Sequence, residues 1–136
     1  MSLVALLGRF ALAYLFLLFA IAIGLRCIGL QSNSGTNTAA LLAAVMWACL
    51  SFAKRNGRYL SGAEQRSILL GMLVVDLLLQ SSIVLIVTAT SAAPLALGPV
   101  FYALAIVAGL HALAIWLMIG TAGKQYAKEV AKAERA

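Results

Sequence analysis

The chain has 136 residues, of which 64% are hydrophobic and 10% are charged, and its net charge is +6. An average soluble domain has roughly 45–50% apolar and about 25% charged residues, and a chain this short buries only roughly 60–70% of its surface. The composition therefore excludes a soluble globular domain and a disordered chain, and it indicates an integral membrane protein. Since the positive-inside rule accounts for the basic charge, we expect no nucleic-acid partner.

Two apolar runs near the start of the chain are long enough to cross a bilayer, which requires about 20 residues. The first run predicts a helix over residues 9–30, with Leu3 as an alternative, earlier start, and no signal-peptide cleavage site follows it. The next stretch, 31–38, is polar and uncharged and is rich in residues that cap helices. We therefore expect the second helix to begin near Ser34 and to run to residue 53.

The basic stretch 54–60 ends the second helix, because Lys and Arg followed by Asn-Gly are typical of a helix C-terminus. Ser61 and Glu64 then have the spacing of a capping box, in which each side chain accepts a hydrogen bond from the other residue's backbone N–H. This pattern predicts that the third helix covers residues 62–90.

Both prolines of the chain lie within residues 91–99, which predicts a loop between the third and fourth helices. Pro99 suits the first position of a helix, so we expect the fourth helix over residues 99–123. Residues 124–136 form a basic tail rich in good helix formers, and we expect this tail to extend the fourth helix out of the membrane.

The predicted fold is an all-α, four-helix transmembrane bundle over residues 1–123, with short loops and a helical tail. Positive residues collect on the cytoplasmic side of membrane proteins. The first and third loops carry no charge, which predicts that both termini are cytoplasmic. Arg26 is the exception among the ten basic residues; the other nine are Arg9, Lys54, Arg55, Arg58, Arg66, Lys124, Lys128, Lys132 and Arg135.

Small residues recur at four-residue spacing on the second and fourth helices. In lipid, helices associate through close approach at such residues and through interhelical hydrogen bonds. We therefore expect the faces that carry these residues to point into the bundle. The residues are Ala40, Ala44 and Ala48 on the second helix, and Ala105 and Gly109 on the fourth.

Asp76 lies inside the predicted third helix with apolar neighbours on both sides. An aspartate at mid-helix costs roughly 2.5–3.5 kcal/mol on insertion scales, so such residues face the bundle interior and pair with another group. Gln80 lies one turn further on the same face, and His111 lies at a depth about 5 Å from that of Asp76 at a rise of ~1.5 Å per residue. Arg26 is the other candidate partner of Asp76 in this intramembrane polar site, and it lies higher, near the outer boundary.

Two interpretations of this intramembrane polar site stay open. Asp76 and His111 form either a proton or cation site or a buried polar pair that fixes helix register. Elsewhere, Cys27 and Cys49 fall at different membrane depths, which argues against a disulfide. No metal-ligand spacing and no nucleophile–base set is present, so we expect no catalysis, no cofactor and no metal.

Several short motifs resemble an uncharacterised family of four-span inner-membrane proteins of Gram-negative bacteria such as pseudomonads. The resemblance covers about residues 9–90, and it departs from the family where many relatives place a proline and this chain has Leu60 or Ser61. It implies a location and a topology but no activity. The motifs are Asn33-Ser34-Gly35-Thr36-Asn37, Phe52, Gly57-Arg58 and Glu64-x-Arg66.

The lipid bilayer is the first partner that the sequence implies, and two functional hypotheses follow. The first is a protein that binds a membrane-protein or toxin partner without catalysis, as an accessory subunit or an immunity protein. The alternative is a small proton- or cation-coupled transporter or channel that uses Asp76. Self-association into a homo-oligomer is compatible with either hypothesis.

Overall fold

A computed structural model describes residues 1–29, 34–90 and 97–135 of the chain. Four α-helices account for most of these residues, and the described part contains no strand. Each helix is long and apolar enough to cross a membrane, which confirms the predicted four-helix bundle of a multi-pass membrane protein. The helices are α1 (Leu3–Cys27), α2 (Ser34–Asn56), α3 (Gly62–Thr90) and α4 (Leu97–Ala133).

The first helix begins earlier than residue 9, because Ser2 caps it. The Ser2 hydroxyl accepts a hydrogen bond from the backbone N–H of Ala5 at 3.2 Å, which satisfies one of the free donors at the helix start. The helix therefore extends about one and a half turns before Arg9, the basic residue that precedes the apolar run. It ends at Cys27, and the predicted end at residue 30 lies outside the described residues.

The third helix begins at Gly62 with the expected capping box. The backbone N–H of Ser61 donates to Glu64 Oε2 at 2.8 Å, and the N–H of Glu64 lies 3.4 Å from Ser61 Oγ. Arg58 adds a bidentate ion pair to the same carboxylate, at 2.7 and 2.8 Å. These hydrogen bonds from Arg58 lower the pKa of Glu64 to about 2.

The second helix ends later and the fourth begins earlier than the sequence indicated, whereas the continuation of α4 through the basic tail confirms the prediction. The second ends at Asn56, after which Gly57 adopts the left-handed conformation with φ of 63° that terminates many helices. The fourth begins at Leu97, so Pro99 occupies the third position rather than the first, and it continues through the basic tail to Ala133. Pro94 lies outside the described residues.

The helices form a ring in the order α1, α2, α4, α3, so α2 and α3 lie diagonally opposite each other. The chain termini and the loop between α2 and α3 meet at one end of the ring. Lys54 Nζ lies 3.3 Å from a Glu129 carboxylate oxygen, and the rings of Tyr59 and Tyr126 stack at 6.4 Å. Asn56 Nδ2 also donates to the backbone oxygen of Met1 at 3.1 Å. We call this the basic end.

The buried core occupies only the half of the bundle next to the basic end. Among the described residues, none is buried on α1 beyond Tyr14, on α3 beyond Asp76 or on α4 before His111. We therefore divide the bundle into a basic half and a far half on either side of these three residues. The main apolar side chains of the basic half are Leu6, Phe10, Leu41, Val45, Phe52, Ile68, Met72, Ile115 and Ile119.

The small residues behave differently on the two helices that carry them. The alanines of α2 at positions 40, 44 and 48 lie in the core. Ala105 and Gly109 of α4 are exposed, and a methyl group added at Gly109 would meet nothing within 4 Å. The prediction that they face the bundle is wrong, because the inward face of α4 follows the larger residues His111, Ile115 and Ile119, which lie on the other side of the helix.

Candidate functional site: a polar layer beneath an apolar cavity

A carboxylate and an imidazole pair directly inside the bundle. His111 Nδ1 lies 2.8 Å from Asp76 Oδ2, and the exposed fractions of the two residues are 4% and 0%. Asp76 comes from α3 and His111 from α4, so the pair joins two neighbouring helices. The predicted contact between these two residues is therefore present, at the depth that their positions along each helix indicated.

The remaining carboxylate contacts come from Tyr14 and Gln80. The Tyr14 hydroxyl donates to Asp76 Oδ1 at 2.8 Å, and it brings the first helix into the cluster. Gln80 Nε2 lies 2.9 Å from each carboxylate oxygen and 3.0 Å from His111 Nδ1. Gln80 is one turn above Asp76 on α3, as its spacing predicts.

The second helix contributes two polar residues from its first turn. Asn37 Oδ1 lies 2.9 Å from the Tyr14 hydroxyl, and Thr38 Oγ1 lies 3.4 Å from His111 Nε2. Side chains from all four helices thus meet at one level of the bundle. We call this set the polar layer; it consists of Tyr14, Asn37, Thr38, Asp76, Gln80 and His111.

The polar layer compensates the cost of burying a carboxyl group in a membrane protein. An unpartnered polar group in an apolar medium costs several kcal/mol, whereas mutual hydrogen bonds recover most of that cost. Among the described side chains, no buried nitrogen or oxygen lacks a hydrogen-bond partner. The layer can therefore hold the four helices in one register, and its acid–base pair can also exchange a proton.

Arg26 does not belong to the polar layer. Its side chain is exposed, and it lies about 18 Å beyond Tyr14 along α1 at ~1.5 Å per residue. The sequence analysis also missed Tyr14, Asn37 and Thr38. The signal for Tyr14 is a hydroxyl in the middle of an apolar helix, where a phenol needs a partner. Asn37 and Thr38 were interpreted as loop or capping residues, because the depth at which α2 begins was not visible in the sequence.

The second helix begins close to the polar layer, whereas the other three extend far beyond it. From the polar layer to the far end, α1 rises about 20 Å and α3 and α4 about 21 Å, at ~1.5 Å per residue. Over the same direction α2 rises only about 5 Å, from Asn37 to Ser34. Among the described residues, the far half is therefore built by three helices, while four pack together in the basic half.

A cavity of about 620 Å³ lies between α1 and α3, next to the first turn of α2. Its walls are almost entirely apolar, and the first turn of α2 lies at its floor next to the polar layer. Cavities of this size and character commonly bind small molecules. The lining residues are Leu15, Leu18, Phe19, Ile21 and Ala22 of α1, Thr36 and Asn37 of α2, and Leu79, Ser82, Ile83 and Ile86 of α3.

Comparison of the chain with family models, with curated proteins and with solved structures finds no match. Among the described residues, no three His, Cys, Asp or Glu side chains form a group that could hold a metal ion. Functional inference therefore rests on the geometry of the polar layer and of the cavity above it.

Proposed function

We propose that this membrane protein acts by binding a partner within the far half of the bundle, and that it does so without catalysis. The cavity between α1 and α3 is the single observation that carries this proposal. It combines about 620 Å³ of apolar space with a few polar groups at one end, which is the usual composition of a binding site.

The basic half favours binding over passage through the bundle. Below the polar layer, buried side chains from all four helices fill the interior, including Phe10, Phe52, Met72 and Ile115. The cavity can receive a partner from the far half, and these buried side chains lie between it and the basic end. The partner would therefore enter and leave from the same side.

Photocrosslinking from the cavity wall tests this proposal. A photoreactive amino acid at Leu18, which lines the cavity, is expected to give an adduct of discrete mass in intact membranes. The matched control is the same amino acid at Leu113, which is exposed on the outside of α4 and should label bulk lipid. If the two positions give the same spectrum of adducts, the cavity has no partner of its own and the proposal fails.

The proposed partner has two biological forms, an associated membrane protein and a membrane-targeted toxin. In the first, the chain is an accessory subunit; in the second, it is an immunity protein. Each form predicts a different result for co-expression with a secreted toxin encoded by a neighbouring gene. Protection that is lost when Ala22→Trp fills the cavity would favour the immunity role, and failure to protect would exclude it for that toxin.

Proton-coupled transport is the second candidate function, and the Asp76–His111 pair favours it. A carboxyl group paired with an imidazole inside a membrane bundle is a common feature of proton pathways. The test is uptake driven by a pH gradient in proteoliposomes that contain the native chain or the Asp76→Asn variant. Transport that persists in the variant, or that is absent from the native protein, would remove this candidate.

We also propose that the basic end faces the cytoplasm of a bacterial cell, with the protein in the inner membrane. Nine of the ten basic residues fall on the termini, the loop between α2 and α3, or the helix ends beside them. Reporter fusions after Asn56 and after Ser91 should report the cytoplasm and the periplasm, respectively. The reverse pattern would contradict the proposed orientation.

A further inference from the structure

We propose that the ligand of the far-half cavity is an uncharged amphiphile with an apolar body and a carbonyl group, and that this carbonyl accepts a hydrogen bond from the amide of Asn37. The inference rests on the proposed binding function, since it identifies the chemical class of the ligand that fills the cavity, while a protein partner would contact the far half around it. Three properties of the site support it: the volume of the cavity, the unused donor at its floor, and the cost of a charge at that depth.

The volume of the cavity favours a small molecule over a protein segment. The residues that line it cover only about 10 Å along α1 and along α3, at ~1.5 Å per residue, whereas a helix that crosses a membrane is about 30 Å long. The volume falls within the roughly 300–1,000 Å³ range of sites for small ligands. A molecule with one or two short apolar arms would fill it, whereas a transmembrane helix would not.

The walls require an apolar body. Leu15, Leu18 and Leu79 face the cavity near the polar layer, while Phe19 and Ile86 line it further from that layer. Phe19 and Ile86 are 62% and 66% exposed in the chain alone, so a bound apolar group can bury apolar surface of both α1 and α3. Contact with these side chains orients the ligand along α1 and α3 and brings its inner end to the first turn of α2.

Asn37 supplies an unused hydrogen-bond donor at that inner end. Its side chain lines the cavity, and the one contact of its amide group among the described residues is with the Tyr14 hydroxyl. The amide has two N–H groups, and the Tyr14 oxygen can take at most one of them. Whichever way the amide is turned, at least one N–H has no acceptor among the described residues, in a side chain that lines the cavity.

A carbonyl oxygen is the acceptor that best suits this position. It accepts a hydrogen bond, and unlike a carboxylate or a phosphate it carries no charge that must be removed from water. Asp76 lies directly behind Tyr14, so an anion at Asn37 would also stand close to a second acidic group. Ketones, esters, amides and quinones that partition into membranes all satisfy these requirements.

A pair of probes that differ only in the carbonyl tests the inference. A long-chain alkane with a photoreactive diazirine labels the cavity of the purified full-length protein, and unlabelled pentadecane or 2-pentadecanone competes with it. One hydrogen bond contributes about 0.5–1.5 kcal/mol, so we expect the ketone to compete about fivefold better than the alkane. The Asn37→Leu variant should abolish this preference.

Ser82→Ala is the matched control, because Ser82 also lines the cavity but donates its hydroxyl to the backbone oxygen of Leu78 at 2.7 Å. This variant should keep the preference for the ketone. The two competitors are compared within the same protein sample. A general loss of folding would weaken competition by both compounds, whereas loss of the Asn37 donor should weaken competition by the ketone alone. Thermal unfolding of each variant shows whether it is folded.

The outcomes separate the inference from the proposed function. If neither compound competes, the cavity binds no apolar ligand and the proposed function fails together with the inference. Equal competition by the two compounds in the native protein overturns the inference while leaving binding intact. A ketone preference that survives in Asn37→Leu also overturns it, because the carbonyl would then bind elsewhere.

Discussion

The two halves of this bundle are both built from apolar helices but differ in packing. In the basic half, four helices surround a core of large apolar side chains. In the far half, α1 and α3 line a cavity with the first turn of α2 at its floor, and none of the described side chains there is buried. Apolar composition therefore does not by itself produce packing in a membrane protein, since lipid solvates apolar side chains as well as a protein interior does. The number of helices at each level decides where a core forms.

The polar layer marks the boundary between the halves. Its hydrogen bonds fix α2 against the other three helices at the level of Asn37 and Thr38, close to the residue at which α2 begins. Polar residues in the first turn of α2 are thus satisfied by Tyr14 and His111 rather than by water. These contacts hold the start of α2 at the polar layer, and the cavity of the far half lies next to that start.

The largest expected effect comes from breaking the polar layer. His111→Leu removes the imidazole from a buried carboxyl group, and breaking such a pair costs about 3–5 kcal/mol of the free energy of unfolding. The double variant Asp76→Leu/His111→Leu removes both groups and should recover much of that loss. Denaturant unfolding in detergent measures both values. Equal destabilisation of the single and double variants would show that the pair does not hold the layer together.

Truncation of phenylalanines compares the two halves directly. Phe10 is fully buried in the basic half, and Phe10→Ala should lower the free energy of unfolding by about 2 kcal/mol through lost packing contacts. Phe19 is 62% exposed in the far half, and Phe19→Ala should change it by less than about 0.5 kcal/mol. Thermal unfolding in one detergent gives both shifts. Similar losses at the two positions would contradict the difference in packing.

Two glycines of α4, one in each half, also compare the packing of the two halves, and smaller changes in the free energy of unfolding are expected for them. A methyl group at Gly123 would lie 2.8 Å from the Tyr59 ring, so Gly123→Ala should cost about 1 kcal/mol of the free energy of unfolding. A methyl group at Gly109 would meet nothing within 4 Å, so Gly109→Ala should leave stability unchanged or slightly raise it. A clear loss of stability for Gly109→Ala would indicate that this face of α4 is occupied by a second protein.

The smallest effect is expected at the cap of α3, outside the packed core. Because the pKa of Glu64 is lowered to about 2, its contribution to stability is fully present above its ordinary pKa of 4.5 and is lost as the pH falls through about 2. Glu64→Gln keeps a capping side chain but loses the ion pair with Arg58. The melting temperature of the variant should therefore depend less on pH between 2 and 4.5 than that of the native protein. An unchanged pH dependence would show that the ionised Glu64 side chain does not stabilise the protein.

Sequence reasoning captured the features that depend on position along one helix. The four apolar runs, the capping box at Ser61 and the meeting of Asp76 with Gln80 and His111 all follow from length, spacing and depth counted along the chain. Depth counting worked for His111 because α3 and α4 both run through the polar layer.

It failed for features that depend on how neighbouring helices are staggered. Tyr14 and Asn37 meet only because α2 begins close to the polar layer, and no periodicity in either helix reveals that offset. Similarly, four-residue spacing identified Ala105 and Gly109 as a packing face, but larger residues on the opposite side of α4 decide which face turns inward. Apolar patterning is a weak guide to orientation when every side of a helix is apolar.

Disulfide crosslinking between α1 and α3 tests the division into a packed and an open half most directly. In a background in which Cys27 and Cys49 are replaced by alanine, one pair of cysteines replaces Leu7 and Gly71, which are in contact in the basic half. A second pair replaces Leu18 and Ile83, which line the cavity. The first pair should form a disulfide rapidly under mild oxidation and the second should not. Equally rapid crosslinking of both pairs would show that the far half is closed and would contradict the cavity.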